Sequence, residues 1–179
     1  MDKVLDFSKK IILEIVNKDI AIDCTCGRGN DTLFLAKNFQ KVYAFDIQDE
    51  AISDTINLLT KENINNTKVI KDSHVNILNY VSEKIDCAMY NLGYLPKGNK
   101  DIHTIPFTTL ESIKMTMNLL NKDGIISIVF YPGFPSGKEE TDLVLEYLRQ
   151  VNQKEFDVLM YDYINQINNP PFLVLIKRI

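Results

Sequence analysis

Residues 20–32 read Ile20-Ala21-Ile22-Asp23-Cys24-Thr25-Cys26-Gly27-Arg28-Gly29-Asn30-Asp31-Thr32. A short apolar run ends in an acid, a glycine-bearing turn follows, and a helical pattern begins at Asn30. Gly27 and Gly29 let the backbone bend tightly and approach a ligand where a Cβ would collide. The dinucleotide fingerprint wants a third glycine three residues after Gly29, and Thr32 stands there. The stretch therefore predicts a βα unit whose turn faces a small molecule other than a pyrophosphate. A purely structural turn, with Asp31 capping the helix, is the competing reading.

Outward from this turn the rhythm repeats. Strands are predicted at 20–24, 41–46, 67–71, 85–90, 124–131, 155–164 and 172–178, and helices near 4–18, 30–38, 49–62, 73–80, 106–121 and 137–151. Pro106 sets the start of the 106–121 helix and Asn121-Lys122-Asp123-Gly124 its stop, while Leu110, Ile113, Met117 and Leu120 recur at helical spacing. Such alternation gives βαβ units and a parallel sheet. Only Asn165–Pro171 separates the last two runs, too little for a crossover helix, so they should pair as an antiparallel hairpin. The expectation is an α/β, Rossmann-like fold with a seven-stranded, mostly parallel sheet and a C-terminal antiparallel hairpin. One domain should span 1–179, with a helix within 1–19 capping the sheet.

Composition narrows the class. Of 179 residues, 45% are apolar, enough for a core, and no run reaches the roughly 18 apolar residues of a membrane span. The N-terminal stretch mixes acids among its apolar positions and lacks a small-residue cleavage site, so it reads as an amphipathic helix, not a signal peptide. Three cysteines make no disulfide framework and point to a reducing, cytoplasmic setting. Cys24 and Cys26 lack a second pair at zinc spacing, so no metal is expected. A formal charge of −4 argues against a wholly basic surface, yet a local Lys/Arg patch still suffices to bind phosphate.

The cofactor site is read from three strand ends. Five alternating units followed by a hairpin is the strand plan of Rossmann-like methyltransferases, whose donor offers a cationic methionine tail. Asp23, four residues before Gly27, fits that version. Asp23 is expected to contact the ammonium, with Asn30 or Asp31 helping to hold the tail. Asp46 lies 19 positions beyond Gly27, where such sites place an acid to accept both ribose hydroxyls, and Ile47 follows to pack on the adenine. After the third strand, Asp72, Ser73 and His74 are candidates for the adenine edge or ribose, or simply a helix cap.

The fourth strand leads into Asn91-Leu92-Gly93-Tyr94-Leu95-Pro96, a loop on the crevice side of a doubly wound sheet. Asn91 matches the first position of the Asn/Asp-Pro-Pro-Tyr loop of amino-methylating enzymes, although Leu92-Gly93 replaces the two prolines. An Asn carbonyl can accept an amine N–H and aim the nitrogen lone pair, and Tyr94 can stack on a base. Asp101, His103 and Tyr94 are alternatives for taking up a proton. Lys97 and Lys100 form a basic loop beside this point, or a solvated turn. Tyr131 and Phe134 follow the fifth strand and serve either as stacking aromatics or as packing.

Together, DCTCGRGNDTLFLA, YAFDIQ, NLGYLPKGNK and INQINNPPF resemble the rRNA-methylase family typified by YtqB and associated with the tRNA-modifying enzyme MnmM. The resemblance runs from about Ile22 to Ile176. It implies S-adenosylmethionine-dependent methylation of the 5-aminomethyl group of (2-thio)uridine 34 in tRNA, giving 5-methylaminomethyl-(2-thio)uridine. It implies a donor site at Gly27, Arg28, Gly29, Asn30, Asp31, Asp46, Gln48, Ser73 and His74. The substrate side falls on Asn91–Pro96 (including Leu92 and Gly93), on 131–137, and on 165–172, including Asn165, Gln166 and Asn168. The anticodon stem-loop is the implied RNA contact, and a homodimer is compatible with it. Two departures stand out: Arg28 replaces a usual Asn, and Tyr131-Pro132-Gly133-Phe134 replaces a usual Tyr-His-Gly-His. Alternatives are an rRNA or small-amine methyltransferase, a nicotinamide-dependent oxidoreductase, and a non-catalytic RNA-binding module.

Overall fold

The computed structural model describes residues 2–15, 17–95 and 103–179. β1 (Ile20–Asp23), β2 (Lys41–Asp46), β3 (Thr67–Lys71), β4 (Ile85–Asn91), β5 (Leu120–Phe130), β6 (Phe156–Tyr161) and β7 (Phe172–Arg178) form one sheet in the order β3-β2-β1-β4-β5-β7-β6. The first five run parallel, while β7 is antiparallel to both β5 and β6. The predicted seven strands and terminal hairpin are therefore present. Because β1 to β4 share one direction, Asp23, Asp46, Lys71 and Asn91 all finish at the same sheet edge.

Period-two alternation distributes the strand residues between two apolar layers. Ala21, Val42, Cys87 and Met89 face one layer with Leu35, Ala36 and Leu59 from α2 (Asn30–Asn38) and α3 (Asp49–Lys61). Ile22, Phe45, Ala88 and Tyr90 face the other, against Ile113 and Met117 of α4 (Pro106–Leu119) and Val144 of α5 (Pro135–Leu148). Strands covered on both faces read as apolar runs, which is why β4 is buried along almost its whole length. Each fully buried Ile or Phe contributes about 1.5–3 kcal/mol relative to exposure.

α1 (Val4–Leu13) covers β5 and β7 on the α2 side. Phe7 stacks on Tyr161 with ring centroids 4.2 Å apart, and Ser8 Oγ shares a buried hydrogen bond of 2.6 Å with Ser127 Oγ. The helix is shorter than the predicted 4–18. Lys18 Nζ reaches back 2.8 Å to the Leu13 carbonyl, satisfying an end-of-helix acceptor that would otherwise continue the ladder.

Other boundaries differ too, among them β6, which spans Phe156–Tyr161 against the predicted 155–164. The predicted helix 73–80 is a 3₁₀ turn, His74–Asn79, capped by Ser73 Oγ accepting from the Val75 amide. The 121–124 stop lies inside β5, as an irregularity between Leu120, which pairs with Ile85, and Ile125, which pairs with Cys87. Asn121 Nδ2 donates to buried Asp86 Oδ1 at 2.7 Å and Asp123 takes a positive φ of 65°, so the chain bulges without leaving the sheet. α5 begins at Pro135, two residues early, because proline's fixed φ suits a first helical position. Among the described residues no helix is long and apolar enough to cross a membrane.

Candidate active site

A cleft of about 910 Å³ opens at the carboxyl edge of β1, β2, β3 and β4. Its floor is the turn after β1. Gly27 and Gly29 have φ of 51° and 81°, a region that costs a side-chain-bearing residue. A Cβ on Gly29 would also lie 2.9 Å from Thr55 Cα, so α3 could not pack there against any other residue. Gly27 lines the cleft, whereas Gly29 does not.

Asp46 at the end of β2 fixes this turn. Its Oδ2 accepts from the Gly27 amide and its Oδ1 from the Gln48 amide, each at 3.0 Å. Asp46, Ile47 and Gln48 all line the cleft, and Ile47 presents an apolar surface that is 53% exposed. Arg28 also lines it and pairs with Glu50 at 2.9 Å and with Asp54. These two acids of α3 hold the guanidinium at the cleft wall.

Asp23, expected to contact the ammonium directly or through water, stands one layer back. It is buried behind the cleft and does not line it. Its Oδ2 accepts from Thr32 Oγ1 at 2.6 Å and its Oδ1 from the Thr25 amide at 3.2 Å. The carboxylate expected to meet a ligand instead ties the strand end to the first turn of α2. Burial, then the nearby Asp31 charge, pushes its pKa up to about 7. Asn30, exposed, and Asp31, half-buried, stand on the cleft wall at the start of α2.

The wall beyond β3 holds Asp72, Ser73 and His74, all lining the cleft. Asp72 is engaged locally, accepting from the Ser73 amide at 2.7 Å, Asn76 Nδ2 at 2.8 Å and the Tyr80 hydroxyl at 2.8 Å. His74 is different. It is 9% exposed, packs edge-on to Tyr90, and its buried Nδ1 has no hydrogen-bond partner. Burial alone lowers its pKa to about 4, so the ring is neutral at pH 7.

Asn91 closes the far side. Its amide donates to Thr25 Oγ1 at 2.8 Å, and its Nδ2 lies 3.5 Å from Asp31 Oδ2. Asp31 Oδ1 meets Lys9 Nζ of α1 at 2.8 Å. Tyr131, also lining the cleft, has its pKa raised by burial first and by the Asp31 charge second, with a hydrogen bond to Asn91 opposing. Leu92, Gly93, Tyr94 and Phe134 line the same side, and the Tyr94 and Phe134 rings meet edge to face at 5.7 Å.

The structure gathers most of the predicted residues and separates a few. Asn165, Gln166 and Asn168 are exposed and do not line the cleft, whereas Asn169 and Pro171 do. Successive positive φ values of 69° at Asn168 and 47° at Asn169 turn the chain, so only its end reaches the site. Lys97, Lys100 and Asp101 lie outside the described residues. Leu95, within the expected Asn91–Pro96 stretch, lines the cleft, and sequence reasoning missed Thr104, Ile105 and Thr108, which line it with His103. An antiparallel bridge, Tyr94 to His103, brings that segment back. A two-residue pairing carries too little pattern to be seen in sequence. Among the described residues no group of three or more His, Cys, Asp or Glu could hold a metal ion.

Comparison with known proteins agrees with this architecture. Residues 42–177 match the family described as "Putative rRNA methylase". The chain is 39% identical over 147 residues to the "tRNA (mnm(5)s(2)U34)-methyltransferase, chloroplastic" of Arabidopsis thaliana, covering 73% of this chain and 53% of that protein. The chain thus spans about half the length of that curated relative, and 52% of the "Ribosomal RNA small subunit methyltransferase H" of Thermosipho africanus, to which it is 29% identical over 82% of this chain. Among solved structures, a "putative rRNA-methylase" from Clostridium thermocellum superposes with a TM-score of 0.97 at 43% identity, covering 100% of this chain and 99% of that one. A "putative methyltransferase" from Streptococcus mutans, solved in complex with SAH, superposes at 0.94 and 40% identity, with the same coverage. With a sheet order, a glycine turn and an acid-ended second strand that fit, and with the family match over most of its length, the chain belongs to the family described as "Putative rRNA methylase".

Proposed function

We propose that this chain is an S-adenosylmethionine-dependent methyltransferase, acting on the aminomethyl amine of uridine 34 in tRNA, with residues 1–179 working as one domain. The observation that carries the reading is the joining, in one cleft, of Gly27, Asp31, Asp46 and His74 with Asn91. The 40% identical relative solved with SAH and the Arabidopsis relative's tRNA activity support it.

The residues fit the donor. A carboxylate offers about four acceptor positions, and the two amides on Asp46 leave room for two ribose hydroxyls. Ile47 provides an apolar face for adenine, and the unpartnered Nδ1 of His74 suits a polar edge of the base or ribose. Asp31 and Asn30 are placed for the amino-acid tail, with Asp23 supporting them from behind through Thr25 and Thr32. When bound, the donor supplies a methyl on a sulfonium, already activated for displacement.

The protein's own task is then positional. With Nδ2 of Asn91 turned to Asp31, its Oδ1 is the atom left to accept an amine N–H and orient the lone pair. Tyr94, Tyr131 and Phe134 offer aromatic edges to a nucleobase. Good alignment of two reactants supplies about 7–11 kcal/mol of the barrier. An alkylammonium must lose a proton first, and His103 and Tyr94, both lining the cleft, are the described candidates to take it. Solvent-exposed Asn165, Gln166 and Asn168 border the cleft through Asn169 and are assigned to RNA outside it.

Nucleoside mass spectrometry of tRNA from cells with and without this protein tests the reading. Loss of 5-methylaminomethyl-(2-thio)uridine with accumulation of its aminomethyl precursor is the expected result. Unchanged tRNA with an altered rRNA methyl or small-amine pool would move the assignment to those substrates.

A further inference from the structure

Glu140 is a carboxylate that the chemistry above does not use. It sits on α5, 2% exposed, with both oxygens occupied. Thr109 Oγ1 donates to Oε1 at 2.6 Å, and Thr104 Oγ1 donates to Oε2 at 2.8 Å. Thr104 Oγ1 in turn accepts from the Gly93 amide at 2.9 Å, and the Thr104 amide donates to the Gly93 carbonyl at 2.9 Å. One residue on from this pair is the Tyr94–His103 bridge.

Gly93 is where the conformation of this strand end is decided. Its φ of 111° is open only to glycine in practice, and the neighbouring Leu92 amide is tied to Val129 at 3.1 Å. The backbone that carries Tyr94 onto the cleft wall is therefore tied to the Thr104 segment by two backbone contacts and by one hydroxyl, and that hydroxyl is itself held by one buried carboxylate. A buried carboxylate is retained only where its partners are satisfied, and removing it leaves two hydroxyls without an acceptor.

We infer that Glu140 is a positioning residue: through Thr104 it clamps Gly93 and Tyr94 to α5 and so sets the substrate side of the cleft, without touching the donor. Its effect on turnover rests on the methyltransferase reading. Its effect on backbone protection does not.

Hydrogen exchange and methyl transfer are measured on Glu140→Ala, Thr104→Val and Thr104→Ser in the full chain. In Glu140→Ala and Thr104→Val, exchange at Gly93 and Thr104 should rise about tenfold or more, while α2 and α3 keep their protection. Methyl transfer to tRNA should fall roughly 10–100-fold in kcat/KM, with a lower kcat and a higher KM for the RNA, and SAH affinity should stay within about twofold of the unaltered chain. Thr104→Ser, which keeps the hydroxyl, should restore both. The double variant should be no worse than the poorer single one, since both break one path. If Glu140→Ala does not fold, Thr104→Val decides alone. Unchanged exchange at Gly93, or SAH affinity falling in step with turnover, overturns the clamp. An unaltered chain that binds SAH yet methylates no tRNA overturns the substrate reading instead, and exchange still decides the clamp.

Discussion

Asp46 Oδ2 accepts the Gly27 amide proton at 3.0 Å, joining the end of β2 to the glycine turn that follows β1. Two features 19 residues apart in sequence thereby become one surface. The acid shapes the turn as well as facing the cleft, so its loss should act on both.

Replacing Asp46 by Ala should weaken SAH binding on the order of 10–100-fold, since hydrogen bonds to a charged group are worth about 1.5–3 kcal/mol each. Asp46→Asn should fall between. Isothermal titration measures this, and an affinity equal to that of the unaltered chain would remove Asp46 from the site.

Gly29→Ala should be destabilising by about 1–3 kcal/mol, because a φ of 81° and the approach of Thr55 both oppose a Cβ. Chemical denaturation gives the value. Gly133→Ala, with ordinary contact distances of 3.6 Å and beyond, should cost little by comparison.

Asp23 and His74 should give opposite pH signatures. The Asp23 pKa is raised from 3.8 to about 7, so the folded state holds a proton that the unfolded state releases. Its contribution is complete below the unfolded value and is lost as pH rises through the folded value near 7. Asp23→Asn should therefore gain relative to the unaltered chain between pH 4 and pH 7. The His74 pKa is lowered from 6.5 to about 4, so stability is present above the unfolded value and lost as pH falls through that window. His74→Gln should flatten that loss. Denaturation across pH 4–8, taken as variant minus unaltered chain, separates the two slopes. A flat difference for Asp23→Asn would mean that its carboxyl is solvated.

Asn91→Ala should retain SAH affinity and lose methyl transfer by about 100-fold, since its carbonyl is assigned to the reacting amine and not to the donor. Equal losses in binding and turnover would instead make Asn91 part of the donor site.

The fold was largely legible because the central parallel strands β1, β2 and β4 are mainly apolar runs ending in acid- or Asn-bearing turns, and 165–171 is too short to cross the sheet. The second strand, its terminal Asp46 and the Asn30–Asn38 helix lie where periodicity placed them. The burial of Asp23 was not legible, because spacing locates a carboxylate along the chain but not which way it faces. Here Thr32, the residue in place of a third glycine, draws it inward. Thr104 and Glu140 left no trace because their link spans 36 residues and depends on α4 and α5 packing together. The turn at Asn168 and Asn169 was hidden likewise, since left-handed asparagines leave no periodic signal.

The most direct measurement is transfer of labelled methyl from S-adenosylmethionine to an anticodon stem-loop carrying 5-aminomethyl-2-thiouridine at position 34. Label should appear on that nucleoside, and both Asp46→Ala and Asn91→Ala should nearly abolish it. A chain that binds SAH but leaves this stem-loop unlabelled, while methylating another RNA or a free amine, would contradict the assignment.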